Sequence, residues 1–301
     1  MPDKQQLLES ILRSPDDDAP RDAYAEILAK ENPRRRYISL QLGLAHLNRN
    51  QERKEWLDSR SETELLLLQH KQEWRPDWPT EASRVVKDYW FHRGFVGLIA
   101  ISAADFLQHG GTLLAHAPIR HLNIVADGET PALFFESEYL RNVRSLSFTS
   151  CGLQDEDIIA MILYGALDDL RWLDLAYNNI STEAVVALCE SPLGHNLRYV
   201  NLMGNPGDFS ARLSTDGDFI TDTWLPDQGQ QIEEQLGQIS WLHVRASSIL
   251  DIVPDRFMLG INWEGEGPQR RGFLVSSGGS YADAKRVKDT EPAREFQLAD
   301  R

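Results

Sequence analysis

Four pairs of residues recur at one spacing and carry most of the chain's recognition chemistry: His121 and Asn123, Ser145 and Ser147, Trp172 and Asp174, Tyr199 and Asn201. Each pair brackets one apolar residue, so in a strand its two members share one face and the apolar residue takes the other. Tyr177 and Met203 stand in the turns that follow two of the pairs. A Trp, two Tyr residues and an Asp on one open face have the composition of a protein-binding hot spot: large rigid area with a polar handle. The competing use is internal, with Trp172 and Tyr199 stacking as a cross-strand pair worth ~0.2–1 kcal/mol. Arg120, Arg144, Arg171 and Arg198 each precede one pair. Such a column either braces carboxylates along a rim or takes an acidic ligand.

Bond-making chemistry has little support. The eight histidines form no HxxxH, HExxH or Cys/His ligand spacing, so no metal is expected. There is no GxSxG elbow and no Walker sequence, and Gly265, Gly267 and Gly272 do not make a dinucleotide loop. Ser276 to Ser280 could cradle a phosphate, though such Gly/Ser turns are far more often plain turns. Asp16-Asp17-Asp18 before Ala19-Pro20 reads as helix initiation, with an Asp cap and carboxylates at the positive end of the dipole. A metal site is the sharper alternative for that run, but no calcium-loop spacing follows. The expectation is a protein that is not an enzyme and uses no cofactor.

The elements that must position the four pairs are legible from their period. Leu170, Leu173, Leu175, Asn178 and Ile180 match L-x-x-L-x-L-x-x-N-x-L, and the step from Leu173 to Val200 and from Leu146 to Leu173 is 27 residues. Leu122 lies 24 before Leu146, and a degenerate first copy, 96–101, places Ile99 a further 23 before that. Cys151 falls where the template takes Asn or Cys. Asn178 can bond backbone groups exposed where the chain turns away from the strand. Between copies the period becomes helical: Ile158, Ile159, Ile162 and Leu163 in residues 155–167, then Val185, Val186 and Leu188 in 181–189. These segments resemble leucine-rich repeats, of the ribonuclease-inhibitor class. The resemblance implies an α/β solenoid over 96–206: a short curved parallel sheet with helices on its convex side and the four pairs on its concave side.

Residues 1–75 read as helical. Leu7, Leu8, Ile11 and Leu12 give a first amphipathic helix; Tyr24, Ile27 and Leu28 a second; Tyr37, Ile38, Leu40, Gln41, Leu44 and Leu47 a third. Ser61-Glu-Thr-Glu64 has the spacing of a capping box and opens a fourth. Arg34-Arg35-Arg36 is a basic knot, either a solvated face or a dock for an acidic partner. The runs Leu7-Leu-Glu-Ser-Ile-Leu-Arg-Ser-Pro-Asp-Asp-Asp-Ala-Pro-Arg21, Tyr24-Ala25, Asn32-Pro-Arg34 and Tyr37-Ile-Ser-Leu-Gln41 resemble the bacterial repeat-companion domain. That helical module stands at the N-terminus of many bacterial leucine-rich repeat proteins. Phe91-His-Arg-Gly-Phe-Val96 is similar to the lead-in such proteins place before their first repeat. The match departs from the family at Glu26-Ile27 and Arg35-Arg36. Residues 76–95 read as a linker and entry cap, with Tyr89-Trp90-Phe91 covering the first repeat. Residues 207–301 read as a C-terminal α+β cap: a loop to 227, a helix at 228–236, strands at 241–244, 257–261 and 272–276, and a mobile end.

Composition bounds the partner. The net charge of −15 opposes nucleic-acid binding, which needs a basic face, and suits a basic protein partner. Cys151 and Cys189 have no CxxC neighbour and read as reduced, and the first residues carry no signal-peptide pattern, so the expected compartment is the cytoplasm. No apolar stretch approaches the ~20 residues of a membrane span. The resulting expectation is a protein-binding module, in its sharpest form an inhibitor or immunity factor for a basic enzyme or toxin. The alternatives are an adaptor holding two partners and an enzyme with its site in 207–301.

Overall fold

The computed structural model describes residues 2–46, 53–128, 132–164, 166–197, 199–202 and 204–207, and beyond these the short segments 221–222, 234–236, 239, 241, 260–264 and 271–275. Helix α1 (Lys4–Arg13) starts at a reciprocal cap: Asp3 Oδ1 accepts from Gln6 N at 2.8 Å, and Gln6 Oε1 accepts from Asp3 N at 3.1 Å. Its apolar stripe buries Leu7 and Ile11. In α2 (Ala19–Glu26) Tyr24 is buried, while Ile27 just beyond it stays exposed, contrary to expectation. The acidic run does not cap α2 through Asp18, whose side chain makes no capping bond; Asp17 Oδ1 takes Ala19 N instead, at 3.0 Å. In α3 (Pro33–His46) Tyr37, Ile38, Leu40 and Leu42 are buried. Helix α4 (Arg53–His70) begins a full two turns before Ser61, so Ser61-Glu-Thr-Glu64 is not a cap. Thr63 returns its hydroxyl to Ser59 O at 2.8 Å and Glu64 pairs with Arg60, both compatible with helix interior.

The three arginines that open α3 do three different things. The Arg34 guanidinium lies over the rings of Trp74 (4.9 Å), Phe91 and Phe95 (both 5.2 Å). Burial lowers its pKa to about 10, so it stays charged at neutral pH and the ring faces stabilise it. Arg35 donates to the carbonyls of Glu26 and Leu28, and Arg36 clamps Glu62 through two hydrogen bonds. The basic knot is therefore not a free dock: Arg34 and Arg35 are committed to the fold, and Arg36, though solvated, is paired with Glu62.

After α5 (Thr80–Val85) the chain enters a six-stranded sheet. Strands β1 (Asp88–His92) and β2 (Phe95–Ile101) form an antiparallel hairpin, so residues 88–95 are part of the sheet rather than a linker. Arg93 and Gly94 make its two-residue turn, both with positive φ (49° and 84°). Helix α6 (Ala103–Leu114), capped by Ser102, leads to β3 (His121–Ile124); short 3-10 turns (Ala132–Phe134, Glu138–Leu140) lead to β4 (Ser145–Ser147). Then follow α7 (Asp155–Tyr164), β5 (Trp172–Asp174), α8 (Thr182–Glu190), α9 (Pro192–Asn196) and β6 (Tyr199–Asn201). From β2 to β6 the strands are parallel and adjacent in chain order. The pairing aligns Ile99, Leu122, Leu146, Leu173 and Val200 in one apolar row, the register that the repeat spacing demands. That row and the inward residues of the helices make the main core.

Helix α7 departs from its expected orientation. Ile158 and Met161 face the core, whereas Ile159 (39 %) and Leu163 (73 %) face solvent. Of the C-terminal segments, Ile239 and Trp241 are buried against the repeats, with Trp241 Nε1 donating to Gly194 O at 2.9 Å. Strands β7 (Thr221–Asp222), β8 (Gly260–Glu264) and β9 (Arg271–Val275) form an antiparallel sheet in the order β7–β9–β8. This places the last two expected strands within a few residues of 257–261 and 272–276. Within the loop expected to 227, Thr221–Asp222 is strand instead; the rest of that loop after 207, most of the 228–236 helix, residues 242–244, the 276–280 turn and the mobile end lie outside the described residues.

Candidate functional site

Strands β4, β5 and β6 each lead into a turn built around one side chain: Cys151, Asn178 and Asn205. Asn178 Oδ1 accepts from Cys151 N and Leu153 N, both at 3.0 Å, while its Nδ2 donates to Phe148 O (2.9 Å) and Leu175 O (2.8 Å). Asn205 repeats this one unit later, accepting from Ile180 N (3.1 Å) and donating to Leu175 O (2.8 Å) and Leu202 O (3.0 Å). Cys151 sits at the same place, its Sγ donating to Ile124 O at 3.3 Å. All three reach the carbonyl that ends the preceding repeat's strand, so they tie neighbours together as well as closing their own turns.

The residue before each of these has a left-handed backbone: Ser150 (φ 56°), Tyr177 (φ 57°) and Gly204 (φ 79°). Glycine suits that position; a tyrosine there costs about 1–2 kcal/mol. The Tyr177 ring packs over Gly204, where an added Cβ would come within 2.6 Å of it, yet 54 % of Tyr177 stays exposed. Among the described rim residues, Tyr177 joins a left-handed backbone to a ring that is part packed on Gly204 and part exposed.

The face opposite the apolar row carries the four pairs as expected, but it is not an open surface. Trp172 is only 3 % exposed, and His121, Ser145, Ser147, Asp174 and Asn201 are also buried. Asn123 is half-buried. The side chain of Tyr199 and all of Met203 and Arg198 lie outside the described residues. An exposed Trp172 is therefore a corrected expectation. Alternation fixes which side of a sheet a residue takes, but what packs over that side is not a local property. The shorter polar side chains also spend their bonds internally. Asp174 Oδ1 takes Ala176 N at 3.0 Å, Ser147 and Thr149 share a bond at 3.2 Å, and Ser145 pairs with His121 Nδ1. Trp172 stands outside the main core cluster, with its indole Nε1 buried and unbonded among the described residues. Of the nine residues expected to bind a partner, Tyr177 is the most exposed among those described, with Asn123 half-buried.

Two of the arginine column, Arg120 and Arg144, brace carboxylates. Asp16, in the turn between α1 and α2, meets Arg120 at 3.2 Å and Arg144 at 3.1 Å, and Arg120 also pairs with Asp169 at 3.2 Å. Arg171 donates to the carbonyls of Asp168 and Leu170 in its own loop. Arg93, from the hairpin turn, donates to Asp16 O at 2.8 Å and pairs with Asp18 at 3.3 Å. Beside it, Gly94 N donates to Gln41 Oε1, and a Cβ on Gly94 would come 2.6 Å from Ile38 Cγ1. The acidic run, the arginine column and the His-Arg-Gly-Phe lead-in thus form one contact between the helices and the repeats. Sequence reasoning had each part but not their meeting, which joins residues as far apart as Asp16 and Arg144.

Under this contact His121 Nε2 lies 3.3 Å from His92 Nδ1. Burial, then the Arg120 charge, pushes the His121 pKa down to about 3; burial and the charge of His121 hold His92 well below the usual histidine value. Both are neutral in the fold at neutral pH. Because the unfolded chain binds these protons from about pH 6.5 downward and the fold does not, stability must fall as pH drops below that value. For His121 alone the loss is about 2 kcal/mol at pH 5. Urea unfolding from pH 7 to 5 checks this: His121→Gln should flatten the slope, and an unchanged slope would contradict the burial of a neutral ring.

A family model described as a leucine-rich repeat matches residues 139–161 and 169–189. No curated protein and no solved structure matches the chain. No helix among the described residues is long and apolar enough to cross a membrane. The matched residues hold β4, most of α7, β5 and most of α8, with the Asn178 turn before α8, so the stretch that carries Tyr177 matches the leucine-rich repeat model.

Proposed function

We propose that this chain is a non-enzymatic protein-binding module. Leucine-rich repeats generally serve protein–protein interaction, and the parallel strands and their aligned turns are read here as a short solenoid of the ribonuclease-inhibitor type, with residues 1–75 as its helical companion module. The partner is a protein, gripped along the rim of turns that follow the strands. Tyr177 is the anchor and Asn123 a flanking polar contact. The observation that carries this is the exposed tyrosine held in a backbone conformation that disfavours it. Tyrosine, with tryptophan and arginine, is among the side chains most often found to dominate protein interfaces.

The test is capture of partners by wild type and by Tyr177→Gly, which removes the ring while suiting the backbone. Partner recovery is expected to drop by about tenfold or more, the scale of a hot-spot truncation. Equal recovery would remove Tyr177 from the interface. The sharper reading, an inhibitor or immunity factor for a basic enzyme or toxin, rests on the net charge of −15 and requires that binding weaken as salt rises.

A further inference from the structure

A second surface, independent of the Tyr177 rim, lies on α7. Ile159 and Leu163, one helical turn apart, and Tyr164 beside them leave 39 %, 73 % and 48 % of their surface exposed. Single exposed apolar residues are ordinary, but these three are contiguous on a helix whose opposite side already fills the core with Ile158 and Met161. The chain on either side of the strip is acidic among the described residues. No Lys or Arg occurs between Arg144 and Arg171, or between Arg171 and Arg198, and Arg171 is committed to loop carbonyls. Over the same span Glu156 on α7, Asp168 after it, and Glu183 and Glu190 on the adjacent α8 are all exposed.

An apolar strip whose described charged neighbours along these spans are carboxylates fits one kind of occupant. We propose that α7 docks a basic amphipathic segment of a partner protein, whose apolar side chains cover Ile159, Leu163 and Tyr164 while its Lys or Arg residues meet Glu156, Asp168 and Glu183. An acidic segment would be repelled. A second copy of this chain would set the same carboxylates against each other, since a two-fold contact repeats the patch on both sides. Together with the rim this gives the chain two binding surfaces, the arrangement of an adaptor.

A labelled helical peptide of leucine and lysine, about five turns long, serves as the probe, titrated against the full chain by fluorescence anisotropy. A leucine–glutamate peptide of the same pattern and a glutamine–lysine peptide of the same charge are the controls. The leucine–lysine peptide should bind, more weakly as salt rises, and lose about tenfold or more in affinity to an Ile159→Gln/Leu163→Gln variant. Glutamine is a good helix former and both sites are exposed, so the variant should keep the wild-type circular dichroism. Glu156→Lys/Glu183→Lys gives a second variant, expected to weaken the peptide without touching the apolar strip. Tyr177→Gly should bind the peptide as wild type does, so failure here and failure of the rim are told apart. The proposal is overturned by equal affinity for both α7 variants and wild type, by equal binding of either control peptide, or by a wild-type dimer in light scattering that the glutamine variant dissociates.

Discussion

Asn178→Ala should lower the unfolding free energy by about 3 kcal/mol, because its amide makes five hydrogen bonds to backbone in the interior, two accepted and three donated. Each buried group left without a partner costs about 1–3 kcal/mol, and the methyl of alanine replaces none of them. The effect should spread beyond one turn, since in the preceding repeat Leu153 N loses its Asn178 acceptor and Cys151 N keeps only Phe148 O, at 3.2 Å. Asn178→Asp separates the halves of the amide: it keeps the acceptors for those two N–H groups and loses the donors to Phe148 O and Leu175 O. Its cost should be large as well, through a buried charge facing carbonyls. Urea denaturation measures both. A loss below about 1 kcal/mol for Asn178→Ala would mean that apolar packing, and not this ladder, fixes the turns.

The next largest effect belongs to Trp241. Its side chain is 2 % exposed, joins the main core and donates from Nε1 to Gly194 O. Gly194 is held there by close packing of α9 on α8, since a Cβ on it would fall 1.9 Å from Leu188 O. The indole therefore meets backbone that cannot move aside to fill a void. Trp241→Ala is expected to cost about 3–5 kcal/mol, while Trp241→Phe, which keeps most of the volume and loses the hydrogen bond, should cost less than half of that. Thermal unfolding checks the pair. An unchanged midpoint for Trp241→Ala would show that the segment after residue 207 does not close the last repeat.

What the sequence disclosed follows from where the physics is local. The row from Ile99 to Val200 was legible because a strand's period of two and a recurring spacing together set register, and the structure pairs those same residues. Asn178 and Cys151 were legible because a turn leaving a strand must satisfy its backbone groups somehow. The misses share a different cause. Ile159 and Leu163 have the spacing of a buried stripe, but α7 is rotated so that Ile158 and Met161 take the core. Ser61-Glu-Thr-Glu64 has the pattern of a helix start, yet the good helix formers before it carry α4 back to Arg53. Trp172 was placed on the correct face and taken as open, since nothing within a strand records what covers it. Arg34 and Asp16 find their partners some 40 and over 100 residues away, at Trp74 and at Arg120 and Arg144. Of the rim, Tyr177 was named from its type and place in the turn. The reason it stands out, its left-handed backbone, is invisible in a template that accepts Ser, Tyr or Gly there.

The claim on which the functional reading depends is that Tyr177 is kept against the preference of its own backbone. Unfolding free energies of wild type and Tyr177→Gly measure this directly. Relief of about 1–2 kcal/mol of left-handed strain, less the ~0.5–1 kcal/mol that glycine adds in chain entropy, predicts a variant more stable by about 0.5–1 kcal/mol. A variant less stable than wild type by a similar amount would show that the ring holds its turn together, and would leave the rim without its anchor.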